Sequence, residues 1–320
     1  MSISVAICTW NRAESLRRTL ASFKDLKPLP DKTWELIIID NNSTDNTRQI
    51  VDEFHEALPI RYVFEPAQGL SHARNRALRE VRHDLVLWTD DDVYVEPDWL
   101  SEYAAAMARY PDAAFFGGPI DPYFVIEPPH WLSRNLDVFE GAYALRQFGS
   151  QSHYIQDLSR CPYGANMAMR KSALEHISFD VKLGRGSSGL MGGEEFEIFR
   201  YLMDKGCAGV WVGRASVKHV ISSDRLTKQY IWDYFYWSGR TKERQLHKSP
   251  NDINKSKIDR KHRRVFRDKL FLCLRLRQNH DWAVRFVWCA DWLGRIDEMR
   301  SILDTSQSSS QGMSERAATN

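Results

Sequence analysis

Apolar runs at Ile3–Cys8, Glu35–Ile39, Ile60–Phe64, Leu85–Trp88 and Ala113–Phe116 alternate with segments of helical spacing at Ala13–Phe23, Asp45–Ala57, Ser71–Val81 and Pro97–Tyr110. A parallel strand can only be reached by a crossover, and a helix is the usual one. Short β-rich runs separated by helices therefore predict βαβ units and a mostly parallel sheet. Ser43 or Thr44 is placed to cap the second helix and Ser71 the third. In sheets of this kind ligands bind beyond the carboxyl ends of the strands. The residues that follow each run thus carry the functional expectation.

The second half is less regular. Pro119 to Pro129 reads as a linker, Asn166–Arg170 as a short strand, and Gly184 to Gly193 as a mobile loop built on Gly184, Gly186, Gly189, Gly192 and Gly193. A helix over Glu194–Lys205 and a β-rich stretch over Val210–His219 follow. Leu226–Arg244 is an aromatic helix suited to core packing, and Lys261–Gln278 and Trp282–Leu303 are two more helices. The Ser/Gln-rich residues past Thr305 predict disorder. The expected organisation is a catalytic domain over 1–245, split into halves 1–120 and 121–245. A basic amphipathic helical appendage over 246–304 and a tail over 305–320 complete it.

Charge is unevenly spread. Arg240 to Arg300 holds 17 Lys/Arg against 8 Asp/Glu, so within an overall +2 the remainder is acidic by seven charges. A lipid headgroup, a membrane surface and nucleic acid all match a basic segment, as does a plain solvated helix face. The five cysteines, Cys8, Cys161, Cys207, Cys273 and Cys289, form no CxxC pair, which counts against a zinc site or a disulfide framework. Cys8 and Cys207 lie in apolar runs and read as core thiols. Neither a basic leader with an apolar core nor an 18-residue apolar stretch is present. A cytoplasmic location is expected, with a peripheral place on the inner membrane face left open by the basic helices.

The first strand ends in Thr9-Trp10-Asn11-Arg12, without the GxGxxG of a dinucleotide fold or the GxxxxGK[ST] of a P-loop. The second ends in Asp40-Asn41-Asn42-Ser43-Thr44-Asp45. Asp40 could take two hydrogen bonds from a ribose diol or a base edge, or simply help to cap the next helix. Arg74 and Arg76 fall in the first turns of the third helix, where the dipole disfavours cations and a nearby anion would explain them. The fourth strand ends in Asp90-Asp91-Asp92. Clustered carboxylates repel one another, and a hard divalent cation relieves that repulsion. A solvated turn is the alternative for such a run taken alone. One rim thus gathers Asp40, Arg74, Asp90 and Asp92, a mixture of charges suited to a nucleoside diphosphate with a divalent metal.

Four stretches carry a family pattern: Ser4-Val5-Ala6-Ile7-Cys8-Thr9-Trp10-Asn11-Arg12, Leu36 to Asp45, Gly69-Leu70-Ser71-His72-Ala73-Arg74-Asn75, and Trp88-Thr89-Asp90-Asp91-Asp92. Together they resemble family 2 of the inverting GT-A-type glycosyltransferases over residues 3–240. The resemblance implies an α/β fold with a GT-A-like, Rossmann-type, mostly parallel sheet flanked by helices; the C-terminal helical appendage expected above lies beyond it. It implies a metal-dependent transfer from a nucleotide sugar, usually a UDP-sugar, with Mn2+ or Mg2+. The acceptor would be a hydroxyl of a glycan or lipid-linked glycan in cell-surface polysaccharide synthesis, and no nucleic-acid partner is expected.

On the donor side the resemblance places Thr9, Asn11, Arg12, Asp40, Asn42, Arg74, Asp90 and Asp91, with Asp90 toward the ribose and Asp91 structural. Asp92 would meet the metal directly. His219, followed by Arg225, resembles a late His…Arg element and is read either as a second metal ligand or as a satisfied histidine at a strand end. Tyr163-Gly164-Ala165-Asn166 resembles the stretch lining the donor sugar. Gly192-Gly193-Glu194-Glu195-Phe196 resembles the family's Glu-Asp motif with Glu195 in place of the usual Asp. Glu195 is the expected general base and Glu194 its alternative. A metal on Asp92 and a cation such as Arg74 would stabilise the departing diphosphate. The rival readings are a catalytically inactive scaffold that binds nucleotide sugar or a membrane surface, and a nucleotidyltransferase.

Overall fold

The computed structural model describes residues 2–29, 33–181, 183, 192–246, 253, 255–274 and 278–317. In chain order it begins with β1 (Ile3–Thr9), α1 (Ala13–Phe23), β2 (Trp34–Asp40), α2 (Thr47–Asp52), β3 (Ile60–Phe64), α3 (Leu70–Glu80), β4 (Leu85–Asp90) and β5 (Val93–Val95). Next come α4 (Trp99–Arg109), β6 (Ala113–Gly117), β7 (Ile120–Phe124), α5 (His130–Ser133), α6 (Leu136–Phe139), β8 (His153–Tyr154) and β9 (Met167–Arg170). The chain closes with α7 (Glu194–Asp204), β10 (Ala208–Trp211), β11 (Val217–Ile221), α8 (Lys228–Leu246), α9 (Lys255–Leu274) and α10 (His280–Ala317). Gly184, Gly186 and Gly189 of the expected glycine loop lie outside the described residues.

Two compact units result. The first comprises Met1–Ile126, Tyr143–Ser188 and Gly193–Ser222; the second includes Glu127–Ala142 and Ser223–Asn320. The first unit holds an eight-stranded sheet in the order β3-β2-β1-β4-β9-β6-β10-β8. β3, β2, β1 and β4 run parallel, β9 is antiparallel to both β4 and β6, and β10 is again parallel to β6. A small sheet, β5-β11-β7, accompanies it.

The central strands are apolar throughout because both of their faces are covered. Val5, Ile7, Leu36, Ile38, Leu85 and Leu87 face one core, while Ala6, Ile37, Ile39, Val86 and Trp88 face the other. Each large apolar side chain buried this way is worth about 1.5–3 kcal/mol. That burial fixes the register on which the site depends. Thr9 stands opposite Asp40 across β1 and β2, and Cys8 stands opposite Asp90 across β1 and β4.

Several expectations need correction. α2 covers only Thr47–Asp52. Neither Ser43 nor Thr44 caps it: Asp45 Oδ1 accepts from the Thr47 backbone at 3.1 Å. Ser71 lies inside α3, which starts after Gly69, and its hydroxyl donates to the Leu183 carbonyl at 2.7 Å. The linker beginning at Pro119 contains β7, where Pro122 is tolerated because β7 is an edge strand. The β-rich stretch near Val210 is two strands in two sheets. Cys8 and Cys207 do pack against one core as expected, though less deeply than Cys161 and Cys289, the fully buried thiols among the described residues.

The aromatic helix α8 packs as core, but in the second unit rather than in a domain ending at 245. Gly239 and Gly294 explain why. A Cβ on Gly239 would come within 2.0 Å of the Asp291 carbonyl oxygen, and one on Gly294 within 1.8 Å of that of Tyr236. The backbones of α8 and α10 therefore touch. Arg240 and Arg244 both donate at 2.7 Å to the buried Glu298 across this contact. Ile258 and Val265 of α9 pack with Ile296 and Met299 of α10. α10 continues to Ala317, where a disordered tail is expected; residues 305–317 contain no proline to stop a helix already nucleated by packing. No helix among the described residues is long and apolar enough to cross a membrane.

Candidate active site

The ends of β1, β2 and β4 form one rim. Asp40 is buried there, its Oδ1 accepting from the Ser43 backbone at 2.9 Å and its Oδ2 from the Tyr62 hydroxyl at 2.6 Å. Burial, and then the bond to Asp40, push the Tyr62 hydroxyl up to about 12. The two loops flanking Asp40 are tied together. The Asn11 backbone donates to Ser43 Oγ at 2.9 Å, and Asn11 Oδ1 accepts from the Thr44 backbone at 2.7 Å. Asn11 and Asn42 both adopt positive φ, 51° and 66°, which asparagine tolerates better than most residues, and both are exposed. The buried Asn41 stitches the next loop by donating to the carbonyls of Glu65 and Ala67 and accepting from the Gly69 backbone.

The aspartate triplet divides by environment. Asp90 is half-buried, whereas Asp91 and Asp92 are buried. Asp91 turns inward, accepting from Thr9 Oγ1 at 2.7 Å and Arg12 Nη1 at 2.6 Å, while its backbone carbonyl accepts from Thr19 Oγ1 at 2.9 Å. Burial pushes the Asp91 carboxyl up to about 6, Arg12 pulls it down, and Asp92 adds to the rise. Arg12 also reaches Asp92 Oδ2 at 2.8 Å. Burial opposes the charge on Arg12, but Asp91 and Asp92 more than offset this and raise its pKa. The positive partner that the triplet requires is thus supplied in part by the chain itself. Arg12, expected on the donor side, is engaged with these two carboxylates.

The other oxygen of Asp92 faces a histidine. His219 Nε2 stands 3.4 Å from Asp92 Oδ1, and His219 Nδ1 lies 2.6 Å from the Tyr143 carbonyl. A carbonyl can only accept, so Nδ1 carries the proton and Nε2 faces the carboxylate. A neutral imidazole in this tautomer and a carboxylate form a donor set that suits a divalent cation. Among the described residues no three His, Cys, Asp or Glu side chains gather to hold a metal ion. Hard cations commonly take one or two protein ligands and complete their shell with substrate phosphates and water. The set fits that habit.

Arg74, expected on the rim, lies close enough to Cys8 and Asp90 to interact with their charges. Its guanidinium is buried and donates to Glu194 Oε1 at 2.5 Å and Glu195 Oε2 at 3.4 Å. Burial opposes its charge, but Glu194 and then Glu195 outweigh that and raise its pKa. Its space comes from Gly164, where a Cβ would lie 2.1 Å from Nη2. The two glutamates open α7 after Gly193, whose φ of 91° suits glycine. The Glu194 side chain is only 3% exposed and the Glu195 side chain 18%. Arg76 instead pairs with Glu80 on the helix surface.

Asn166, expected with the donor-sugar stretch, is a fully buried hub. Its Oδ1 accepts from Trp99 Nε1 at 2.9 Å and Tyr103 Oη at 2.8 Å, and its Nδ2 donates to the carbonyls of Pro119 and Ala215. Arg225 belongs to the second unit, over the Tyr230 ring. Sequence reasoning missed Tyr62, Thr19 and Tyr143. A tyrosine, a threonine and a main-chain carbonyl at these places carry no local pattern that marks them.

With this geometry in hand, comparison with known proteins is informative. Over 249 residues, 76% of each chain, the protein is 24% identical to a glucosyl-dolichyl phosphate glucuronosyltransferase of Haloferax volcanii. Over 248 residues, 77% of this chain and 75% of the relative, it is 27% identical to the succinoglycan biosynthesis protein ExoM of Rhizobium meliloti. Among solved structures it resembles S. aureus TarS 1–349 in complex with UDP-GlcNAc, with a TM-score of 0.53 at 15% identity over 97% of this chain and 92% of that one. It also resembles the mannosyltransferase PcManGT from Pyrobaculum calidifontis in complex with GDP-Man and Mn2+, with a TM-score of 0.51 at 16% identity over 99% and 79%. These structural likenesses bear out the expected GT-A-like α/β fold. The model of glycosyl transferase family 2 matches residues 4–178, more than half of the chain. The chain belongs to glycosyl transferase family 2.

Proposed function

We propose that this glycosyltransferase is metal-dependent and inverting, and that it moves a sugar from a nucleotide sugar, a UDP-sugar first among them, to a hydroxyl of a glycan or lipid-linked glycan. The observation that carries the reading is the pairing of Asp92 Oδ1 with His219 Nε2 at the end of the sheet rim. Asp92 and His219 would hold Mn2+ or Mg2+, which when bound would neutralise charge on the departing diphosphate.

The remaining roles belong to the chain's own side chains. Thr9, Asn11, Asp40 and Asn42 border the nucleoside site, and Asp90, the least buried of the triplet, turns toward the ribose. Arg12 and Asp91 hold Asp92 in place. Glu195 is the general base: it accepts the proton of the acceptor hydroxyl as that oxygen attacks the anomeric carbon, and the nucleotide leaves from the opposite face. Its partial exposure suits contact with an incoming acceptor, whereas Glu194 is tied to Arg74. Arg74 orients the pair of carboxylates and lies near Asp90, where its charge would also favour the departing diphosphate. One displacement by the acceptor oxygen suffices, so no nucleophile from the protein is needed.

A thermal-shift panel of nucleotide sugars with and without Mn2+, followed by donor turnover on the hits, tests the reading. A ligand at 100 times its Kd adds about 2.7 kcal/mol to native stability. Stabilisation by a UDP-sugar that requires Mn2+, together with slow release of UDP, is expected. Binding with no turnover toward water or any glycan acceptor would favour the inactive scaffold.

A further inference from the structure

We propose that the outer face of α9 is a docking surface for an anionic phospholipid bilayer. α9 carries Lys255, Lys257, Arg260, Lys261, Arg263, Arg264, Arg267 and Lys269 against Asp259 and Asp268, a net +6. Its inner side is settled by Ile258 and Val265 in the core of the second unit and by the buried Asp268. Asp268 stands 3.5–3.7 Å from Arg264, Arg267 and Arg285. Spacings of three and four residues put Arg260, Arg263, Phe266, Arg267 and Leu270 together on the opposite side, with Asp259 as the acid among them.

Two observations select lipid. First, Arg260, Lys261, Arg263, Arg264 and Arg267 line a hollow of about 440 Å³, five cations of which Arg264 and Arg267 also face Asp268. A phosphate headgroup fits such a place, since guanidinium groups bind phosphate in paired, charge-assisted hydrogen bonds. Second, Phe266 is 73% exposed and Leu270 57% exposed, one turn apart and flanking Arg267. A site for free phosphate has no need of either side chain in water, and a nucleic-acid site would use a ring for stacking at both places, where Leu270 offers none. An interfacial helix uses both: its apolar residues sink below the headgroups while its cations meet them. Two of the helix's ammonium groups already lie over aromatic rings, Lys261 Nζ over Trp292 at 4.1 Å and Lys269 Nζ over Trp232 at 4.8 Å.

The test is co-sedimentation of the full chain with vesicles of phosphatidylcholine alone and of phosphatidylcholine mixed with phosphatidylglycerol, across a salt series. Pelleting only with the mixed vesicles, weakening with salt, is expected. Arg260→Gln, Arg263→Gln and Arg267→Gln should each weaken binding about fivefold. Phe266→Ser with Leu270→Ser, both at exposed positions, should weaken it by a similar factor each while leaving thermal stability and donor turnover unchanged. Equal pelleting with neutral and mixed vesicles would overturn the proposal. So would undiminished pelleting of the Phe266→Ser/Leu270→Ser protein, which would show charge-only attraction to a polyanionic surface and no insertion of this face.

Discussion

His219 Nε2 and Asp92 Oδ1 stand 3.4 Å apart, with the opposite ring nitrogen donating to the Tyr143 carbonyl. A divalent cation could join this nitrogen and the carboxylate when the ring is neutral, and a protonated ring would donate to Asp92 directly. Under the proposed function, Asp92→Ala lowers transfer by about 10³ or more, the scale of losing a main stabiliser of developing charge. His219→Ala raises the Mn2+ concentration needed for half-maximal activity by about tenfold or more. Product formation over a Mn2+ titration reads both, and an unchanged titration midpoint for His219→Ala would remove it from the ligand set.

Arg12 gives the triplet its second cation, and its removal should be felt as stability. Arg12→Gln leaves Asp91 and Asp92 buried and mutually repelling. The arginine is 38% exposed, so the loss is reduced by solvent screening from the 3–5 kcal/mol of a fully buried pair to about 2 kcal/mol. The pH dependence has a definite sign. The folded-state pKa of Asp91 is raised to about 6, above its unfolded value. The folded state therefore binds the extra proton, and the penalty for ionising Asp91 is absent below the unfolded pKa and complete above about 6. Without Arg12 that window moves upward, so the stability difference between variant and parent should shrink at pH 5 relative to pH 8 in paired thermal melts. A difference independent of pH would show that Arg12 does not act on Asp91.

Much of this arrangement is legible in the chain and some is not. Strands buried on both faces announce themselves as continuous apolar runs, so β1, β2 and β4 are read correctly. Which cation answers the aspartates is not legible, because Arg12 lies some 80 positions away from Asp91 and Asp92 and the family pattern assigns that stretch to the donor. Asn166 shows the same limit. A motif gives the position, but only packing tells whether the side chain points to a ligand or into the core. The place of α8 turned on Gly239 and Gly294, two residues whose meaning is a contact with another backbone.

Asn166→Ala should unfold the catalytic unit more readily without touching any substrate. Four hydrogen bonds end on this side chain, and two buried carbonyls, an indole and a phenol lose a partner at once. An unsatisfied buried polar group costs about 1–3 kcal/mol, and relaxation shares the cost among the four, so a loss of about 3–4 kcal/mol is expected. Denaturant unfolding measures it. If Asn166→Ala kept the parent's stability but lost donor affinity, the side chain would belong to the donor site after all.

Glu194 and Glu195 should fail in different ways. Glu194 and Arg74 have side chains 3% and 5% exposed, so Glu194→Gln leaves a buried guanidinium with only the longer contact to Glu195. Breaking such a pair costs about 3–5 kcal/mol when no charge remains nearby, and about 2–3 kcal/mol is expected here because Glu195 persists. Glu195→Gln keeps a hydrogen-bonding side chain of the same size but cannot take a proton. Donor affinity should stay within about twofold while transfer falls by about 10²–10⁴, the usual contribution of a general base. Thermal melts, donor titrations and single-turnover rates on both proteins separate the roles. A large rate loss with full stability in Glu194→Gln would exchange them, and would mean that the Arg74 pair opens before the acceptor is deprotonated.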